Sequence, residues 1–218
     1  MQTLTRKLAE TGLGDRIFTD RQLKRLVDGT DQRRHHLVNR AVKAGELVRL
    51  RRGLYALADE FRKHPAHPYA VAQMLVPGSY VSLETALAFH GWIPEAVYTT
   101  ASIVPGRKVK EFRHERLGLF TFHPLATRRG SFLELVRRVE AGGQSFLVAR
   151  PLRALMDLVC FRKMEWQGFA WIETGLRVDV DALKKVTGAE LRTLKDVYKH
   201  QRVRDFIGEL EQSLGLVV

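Results

Sequence analysis

Four polar side chains recur at helical spacing in the first third of the chain. They are Gln32, His36, Asn39 and Lys43, which fall on one line at 3.6 residues per turn. Asparagine and glutamine can bond the edge of adenine through two hydrogen bonds, and lysine and arginine can bond guanine. The line therefore indicates a helix face that reads bases in the major groove, with an ordinary solvated helix face as the alternative.

The helix that carries this line is predicted over residues 31–44. Its apolar residues occupy the opposite stripe, which must face other helices; they are Leu37, Val38, Ala41 and Val42. Two shorter helices precede it. The first is predicted over residues 3–11, and the second begins at a capping box formed by Thr19 and Gln22.

A basic hairpin is predicted directly after these helices. Residues 46–50 and 54–57 have the composition of two short strands, and the turn between them ends in Gly53, which permits a positive φ. Three helices followed by a hairpin predict a winged helix-turn-helix over residues 1–60. Winged helices also bind proteins or RNA, but the charge of this hairpin favours DNA.

Double-stranded DNA is therefore the predicted partner of this region. Seven basic and two acidic residues lie between positions 31 and 58, which is enough for several phosphate contacts and a steep salt dependence. The side chains predicted to bind DNA combine the polar line with the neighbouring arginines of the helix and hairpin. They are Gln32, Arg33, Arg34, His36, Asn39, Arg40, Lys43, Arg49, Arg51 and Arg52.

The composition of the whole chain agrees with a polyanionic partner. Lysine and arginine number 36 against 24 acidic residues in 218, giving a formal net charge of +12. The sequence has no apolar run long enough to span a membrane and no secretory signal, so we expect a cytoplasmic protein. The single cysteine, Cys160, lies in an apolar run and is predicted to be a small buried residue.

The rest of the chain predicts a second, larger domain. Residues 59–67 are polar and are predicted to connect it to the first domain, so that it covers residues 68–218. Its strands, predicted at 97–104, 109–114, 117–123 and 145–149, indicate an antiparallel sheet. An apolar helix over 152–161 and further helices at the C-terminal end complete a predicted α+β domain.

Motifs for catalysis are missing from this second part of the sequence. Neither glycine-rich phosphate-binding pattern occurs, and the eight histidines lack the spacing of a zinc site. Asp179 and Asp181 could share a metal on a strand, but Asp181 stands where a helix cap is expected. The sequence predicts a protein that is not an enzyme and has neither a cofactor nor a metal.

Three stretches resemble the AbiEi family of type IV antitoxins, which are also described as viral-defence transcriptional regulators. The first is GELVRLRRGLYAL at residues 45–57, the second is YVSLETALAFHG at residues 80–91, and the third is PLRALMDL at residues 151–158. The resemblance implies that the N-terminal domain binds inverted repeats upstream of its own operon and represses it. It also implies that the C-terminal domain opposes a nucleotidyltransferase-like toxin encoded beside it.

Three functions follow from the residues and the resemblance together. The first is a repressor that is also an antitoxin, and it opposes its toxin by direct contact or by competing for the toxin's substrate. The second is a stand-alone regulator with another effector, and the third is a DNA-processing enzyme. A toxin gene next to this one would distinguish the first from the second, and metal-dependent DNA cleavage would indicate the third.

Overall fold

The structure is a computed structural model that describes residues 3–178 and 180–216 of a mixed α+β protein. The chain divides into two compact units. The first contains Met1–Pro77 and Val139–Phe146, and the second contains Gly78–Arg138 and Leu147–Val218. No helix in the described ranges is long and apolar enough to cross a lipid bilayer.

The first unit begins with three helices, a short strand and a hairpin. In chain order these elements are α1 (Thr3–Glu10), β1 (Ile17–Thr19), α2 (Asp20–Leu26), α3 (Asp31–Lys43), β2 (Leu47–Arg51) and β3 (Leu54–Leu57). A 3-10 turn and a fourth helix follow, Asp59–Phe61 and α4 (Pro68–Leu75). The three predicted helices and the hairpin are thus confirmed as elements, with boundaries shifted by a residue or two.

Threonine side chains that accept hydrogen bonds from the backbone cap the N-termini of two of these helices. The predicted capping box is confirmed: the Thr19 hydroxyl accepts from the backbone N–H of Gln22 at 3.4 Å, and the Gln22 side chain accepts from the backbone N–H of Thr19 at 2.9 Å. The Thr30 hydroxyl accepts from the backbone N–H of Arg33 at 3.3 Å and caps α3. These bonds satisfy donors that the first turn of a helix otherwise leaves without partners.

A three-stranded antiparallel sheet closes the helical part of the unit. β3 is the central strand, with β1 and β2 on its two sides. One apolar core joins all these elements; it includes Leu4, Leu8, Phe18, Leu23, Val38, Ala41, Leu47, Tyr55 and Leu57. The order of helices and hairpin is consistent with a helix-turn-helix domain.

Hydrogen bonds tie the predicted connector, residues 59–67, to the first unit. The Arg62 guanidinium donates to the backbone carbonyl of Asp15 at 2.7 Å, and the Asp15 side chain accepts from the backbone N–H of Lys63, also at 2.7 Å. Further along, the His67 ring stacks on Phe146 with ring centroids 4.3 Å apart. Because its backbone and side chains have fixed partners, this stretch is an ordered part of the unit.

The second unit has a run of strands followed by a run of helices, with one helix between its first two strands. Its sheet strands are β4 (Tyr80–Val81), β5 (Thr99–Val104), β6 (Lys110–His114), β7 (Gly118–Pro124), β8 (Val136–Ala141) and β9 (Gln144–Ala149), of which residues 139–146 belong to the first unit. Its helices are α5 (Leu83–Phe89), α6 (Pro151–Arg162), α7 (Val180–Leu183), α8 (Gly188–Lys195) and α9 (Gln201–Ser213), with a π-helical turn at Trp171–Gly175.

The six-stranded sheet is mixed, so the prediction of an antiparallel sheet is wrong. The strand order is β6-β7-β5-β4-β9-β8, and β5 runs parallel to β7, as β4 does to β9. The reason is the position of β6 at the edge. β7 returns antiparallel to β6 and inserts between β6 and β5, which places it parallel to β5.

A buried polar cluster lies at the centre of the second unit; its members are Tyr80, Ser82, Arg153, Asp157 and Tyr198. Asp157 accepts from Arg153 Nε at 2.9 Å, from the Tyr198 hydroxyl at 2.7 Å, from the Tyr80 hydroxyl at 3.0 Å and from the Ser82 hydroxyl at 2.7 Å. Burial raises the pKa of Tyr80 and Tyr198 well above the usual value, which keeps both hydroxyls protonated as donors.

Burial lowers the pKa of Arg153, whereas the Asp157 carboxylate and the two tyrosines raise it, and the net pKa is raised. Arg153 is therefore a permanent cation, and Asp157 is its partner at i+4 on α6. Because both side chains are 0% exposed, the charge of each is compensated by the charge of the other.

Candidate nucleic-acid interface

One face of α3 is formed by exposed polar side chains. We call it the α3 face; its members are Gln32, His36, Asn39 and Lys43, all exposed. On the opposite side of the helix, Val38 and Ala41 are buried in the core of the first unit. The exposure predicted from helical spacing is confirmed, and contact of this face with DNA stays a prediction.

The arginines beside the α3 face differ in the exposure of their side chains and in their partners within the protein. Arg33 and Arg40 are exposed. Arg34 has a side chain only 11% exposed; it pairs with Asp31, and its guanidinium donates to the backbone carbonyl of Gly29 at 2.9 Å. Arg34 thus stabilises the turn between α2 and α3, and of the three it presents the least charge to a ligand.

The hairpin tip carries two exposed arginines, Arg51 and Arg52. The turn after them needs Gly53, whose φ of +75° is unfavourable for other residues and whose missing Cβ would lie 3.0 Å from Asp20 Oδ2. The backbone N–H of Asp20 donates to the carbonyl of Gly53 at 3.1 Å. This bond connects the hairpin tip to the first residue of α2 and so fixes the arginines relative to the helices.

A hydrogen bond joins the α3 face to the hairpin. Arg49 Nη2 on β2 donates to Asn39 Oδ1 at 2.7 Å, and the Arg49 guanidinium lies 5.9 Å from the centre of the Tyr55 ring. Both residues are among those predicted to bind DNA, but no pattern in the sequence links them as a pair. Only the antiparallel register, which sets Arg49 opposite Tyr55, brings Arg49 to α3.

The acidic side chains near this surface have other partners. Asp31 is paired with Arg34 and also lies 3.6 Å from Lys24, and Glu46 is buried and accepts a hydrogen bond from Thr5. These two carboxylates are the only acidic groups between residues 31 and 58. Seven cations of this stretch outnumber the two carboxylates, and six of the seven are exposed, so the surface of α3 and the hairpin carries an excess of positive charge that can attract a polyanion.

A cavity of about 290 Å³ lies between α2, α3 and β3 in the first unit. Its lining mixes carboxylates with cations: Asp20 and Asp31 lie beside Arg21, Lys24 and Arg34. Burial, followed by the neighbouring Asp20 carboxylate, raises the pKa of Tyr55 at its edge, so that this phenol stays protonated. The opposite charges largely cancel, which makes the cavity a poorer phosphate site than the α3 face.

The described part of the chain contains no group of three metal-ligating side chains. Asp179, one of the two aspartates considered as a metal pair, lies outside the described residues, and Asp181 accepts from Lys184 Nζ at 2.8 Å.

Cys160 is buried, as predicted, and burial raises the pKa of its thiol to about 11. The thiol is therefore protonated and unreactive near neutral pH.

The helices, the hairpin and the cationic surface together have the features of a DNA-binding regulator of the helix-turn-helix class. A family model described as "Transcriptional regulator, AbiEi antitoxin" matches residues 13–58, the segment from just before β1 to just after β3. The resemblance seen at residues 45–57 is thus confirmed, whereas those at 80–91 and 151–158 lie outside the matched segment. No curated protein matches the chain.

Proposed function

We propose that this protein is a cytoplasmic DNA-binding transcriptional regulator that represses its own operon and acts as the antitoxin of a type IV toxin-antitoxin system. The observation that carries the proposal is the α3 face beside the arginines of the hairpin, inside the segment that the AbiEi family model matches. In this proposal residues 1–60 are a winged helix-turn-helix and residues 68–218 are the effector domain.

α3 would enter the major groove and present its polar face to the base edges, with Asn39 and Gln32 suited to adenine and Lys43 to guanine. The hairpin would follow the sugar-phosphate backbone, where Arg51 and Arg52 neutralise phosphates. An operator made of inverted repeats would bind two copies of the chain, because a two-fold symmetric site matches a symmetric pair of domains.

Replacing Arg52 with alanine is expected to weaken binding to the operator and to random DNA by similar factors. The reason is that a phosphate contact carries no sequence information, and its loss makes the slope of log affinity against log salt shallower by about one unit. Fluorescence anisotropy at a series of salt concentrations measures this slope. Arg113, an exposed arginine of β6 in the second unit, is the matched control, and Arg113→Ala should leave the slope unchanged. An unchanged slope for Arg52→Ala would contradict the role given to the hairpin.

The antitoxin activity is assigned to the second unit. The resemblance supports this assignment, and the toxin it implies is a nucleotidyltransferase-like enzyme, opposed by direct contact or by competition for its substrate. This unit contains most of the chain and most of the proposed effector domain, with strands β4–β7, helices α5–α9 and the buried polar cluster. It has the size and internal bonding of an independently stable binding domain.

Reversing both hairpin charges in the full chain, Arg51→Glu with Arg52→Glu, is expected to abolish repression and to keep protection against the toxin. The two side chains are exposed, so the variant should fold normally. A reporter fused to the operon promoter measures repression, and growth with the neighbouring toxin gene induced measures protection. If protection is lost together with repression while the unfolding temperature is unchanged, the two activities are not separable and the division of labour is wrong.

A further inference from the structure

Three loops of the second unit surround one open pocket of about 560 Å³. They are the loop between β5 and β6, the loop between β7 and β8, and the loop between α8 and α9. We call the site the loop pocket; the cations that line it are Arg107, Arg128, Arg129 and Lys199. These residues are far apart in sequence, and their convergence is a property of the fold.

Backbone hydrogen bonds hold two of the three loops together. The backbone N–H of Lys199 donates to the carbonyl of Ala126 at 2.9 Å, and the backbone N–H of Arg128 donates to the carbonyl of Val197 at 2.7 Å. Thr127 and Tyr198 form an antiparallel β-bridge between these two bonds. The cations of both loops therefore stand on a fixed backbone.

Hydrogen bonds of the buried polar cluster also hold these two loops in place. The Tyr198 hydroxyl donates to Asp157, which fixes the α8–α9 loop beside Lys199. Arg153 donates to the backbone carbonyl of Glu134 at 2.9 Å and to that of Phe132 at 3.4 Å, which fixes the β7–β8 loop. A fully hydrogen-bonded internal network rigidifies what it contacts, and rigid donors lose less entropy when they bind a ligand.

The charge of the loop pocket favours an anion with several oxygens. Arg128 Nη1 forms an ion pair with Asp196 Oδ1 at 3.0 Å, and the Asp196 carboxylate is exposed to solvent. Arg107, Arg129 and Lys199 are exposed at the rim. Arginine forks suit phosphate oxygens because they donate two parallel hydrogen bonds, and a lysine adds a point charge.

Most of the remaining lining is apolar. Pro124, Leu125 and Phe132 are half-buried beside the cations, and the Phe132 ring packs edge-on against Tyr80 with centroids 5.0 Å apart. A volume near 560 Å³ lies within the range of small-molecule sites. Cations and an apolar wall in one pocket match a ligand with phosphates and a planar ring.

We propose that the loop pocket binds a nucleotide, with Arg107, Arg129 and Lys199 on its phosphates and the base against the apolar wall. This site is separate from the α3 face and its hairpin, which lie in the first unit. Binding of nucleotide and binding of DNA therefore depend on different side chains, and either proposal can fail while the other holds.

The test is isothermal titration calorimetry of the full chain with ATP, UTP, inorganic triphosphate and a twelve-residue single-stranded RNA. We expect saturable binding of ATP or UTP at one site per chain, with weaker binding of triphosphate. Lys199→Glu and Arg129→Glu should each weaken nucleotide binding at least tenfold. Arg113→Glu, an exposed charge reversal outside the pocket, should leave it unchanged, as should Arg51→Glu with Arg52→Glu, the variant expected to lose DNA binding.

Each other result overturns the proposal. Nucleotide affinity that is the same in the pocket variants and in the unchanged chain would place the nucleotide elsewhere. Absence of ATP and UTP binding at millimolar concentration would contradict the site itself. If the RNA binds through Lys199 and Arg129 while ATP and UTP do not, the pocket contacts a nucleic-acid backbone and the nucleotide assignment is wrong. Unfolding temperatures of the variants check that the exposed substitutions leave the fold intact.

Discussion

Replacing Asp157 with asparagine is expected to lower the free energy of unfolding of the second unit by about 3–5 kcal/mol. The substitution keeps the shape of the side chain but removes the charge that compensates the buried guanidinium of Arg153. It also removes an oxygen that accepts hydrogen bonds from Tyr80 and Ser82. A buried cation without its partner is among the few single changes that cost this much.

Urea unfolding followed by tryptophan fluorescence measures this loss where it occurs, because all three tryptophans of the chain, Trp92, Trp166 and Trp171, lie in the second unit. Asp181→Asn is the matched control: it changes the same residue type in an exposed ion pair with Lys184 and should leave the unfolding midpoint where it is. A midpoint for Asp157→Asn no lower than that of this control would show that the cluster does not support the fold.

Replacing Asn39 with alanine is expected to weaken operator binding by about 1–3 kcal/mol and to change binding to random DNA very little. An amide that bonds a base edge contributes only where the right base is present. Anisotropy titrations with the DNA upstream of the operon and with a scrambled duplex of equal length give the two numbers. Equal losses on both duplexes would mean that the α3 face does not read sequence.

The bond between Asn39 and Arg49 sets the control for that measurement. Asn39 could act on bases itself, or it could act only by orienting Arg49, whose guanidinium donates a hydrogen bond to Asn39 Oδ1 at 2.7 Å. A double-mutant cycle with Arg49→Leu separates these roles. If Arg49→Leu reproduces the sequence-dependent loss and the double variant adds nothing, the two residues act as one unit; if Arg49→Leu leaves the preference for the operator unchanged, Asn39 acts on the bases itself.

Elements that depend on near neighbours in the chain could be predicted from the sequence. The capping box of α2 needs only residues 19–22, and the exposed and buried faces of α3 follow from helical spacing within 13 residues. The hairpin follows from two short β-rich runs around Gly53. The α3 face, which contains four of the ten side chains predicted to bind DNA, could therefore be identified before the structure was known.

Elements that depend on distant partners could not be predicted in this way. β1 has three residues and β4 has two, which is too short to show alternation, and both exist because they pair with strands elsewhere in the chain. The parallel pairing of β5 with β7 results from strand insertion. Strand order of this kind leaves no local pattern in the sequence.

Two side chains show the same limit at the level of single residues. Arg153 lies in a largely apolar helix, where a charged residue is expected at the surface, yet it is 0% exposed. Lys199 follows α8 and stands near Lys195 and Arg202 in sequence, yet neither of these lines the pocket that Lys199 shares with Arg107 and Arg129. The i+4 spacing of Arg153 and Asp157 was the one local signal of the buried pair, since side chains four apart meet on a helix.

The buried polar cluster also constrains how this sequence can change over evolutionary time. Tyr80, Arg153, Asp157 and Tyr198 share one carboxylate, so a change at any one of them leaves buried donors or a buried charge unsatisfied. A joint exchange of Arg153 and Asp157 for apolar side chains avoids a protein in which one buried charge has lost its partner. In relatives of this protein we expect these four positions to be kept together or replaced together, and their co-variation would reveal the second unit in sequences whose N-terminal segment has diverged.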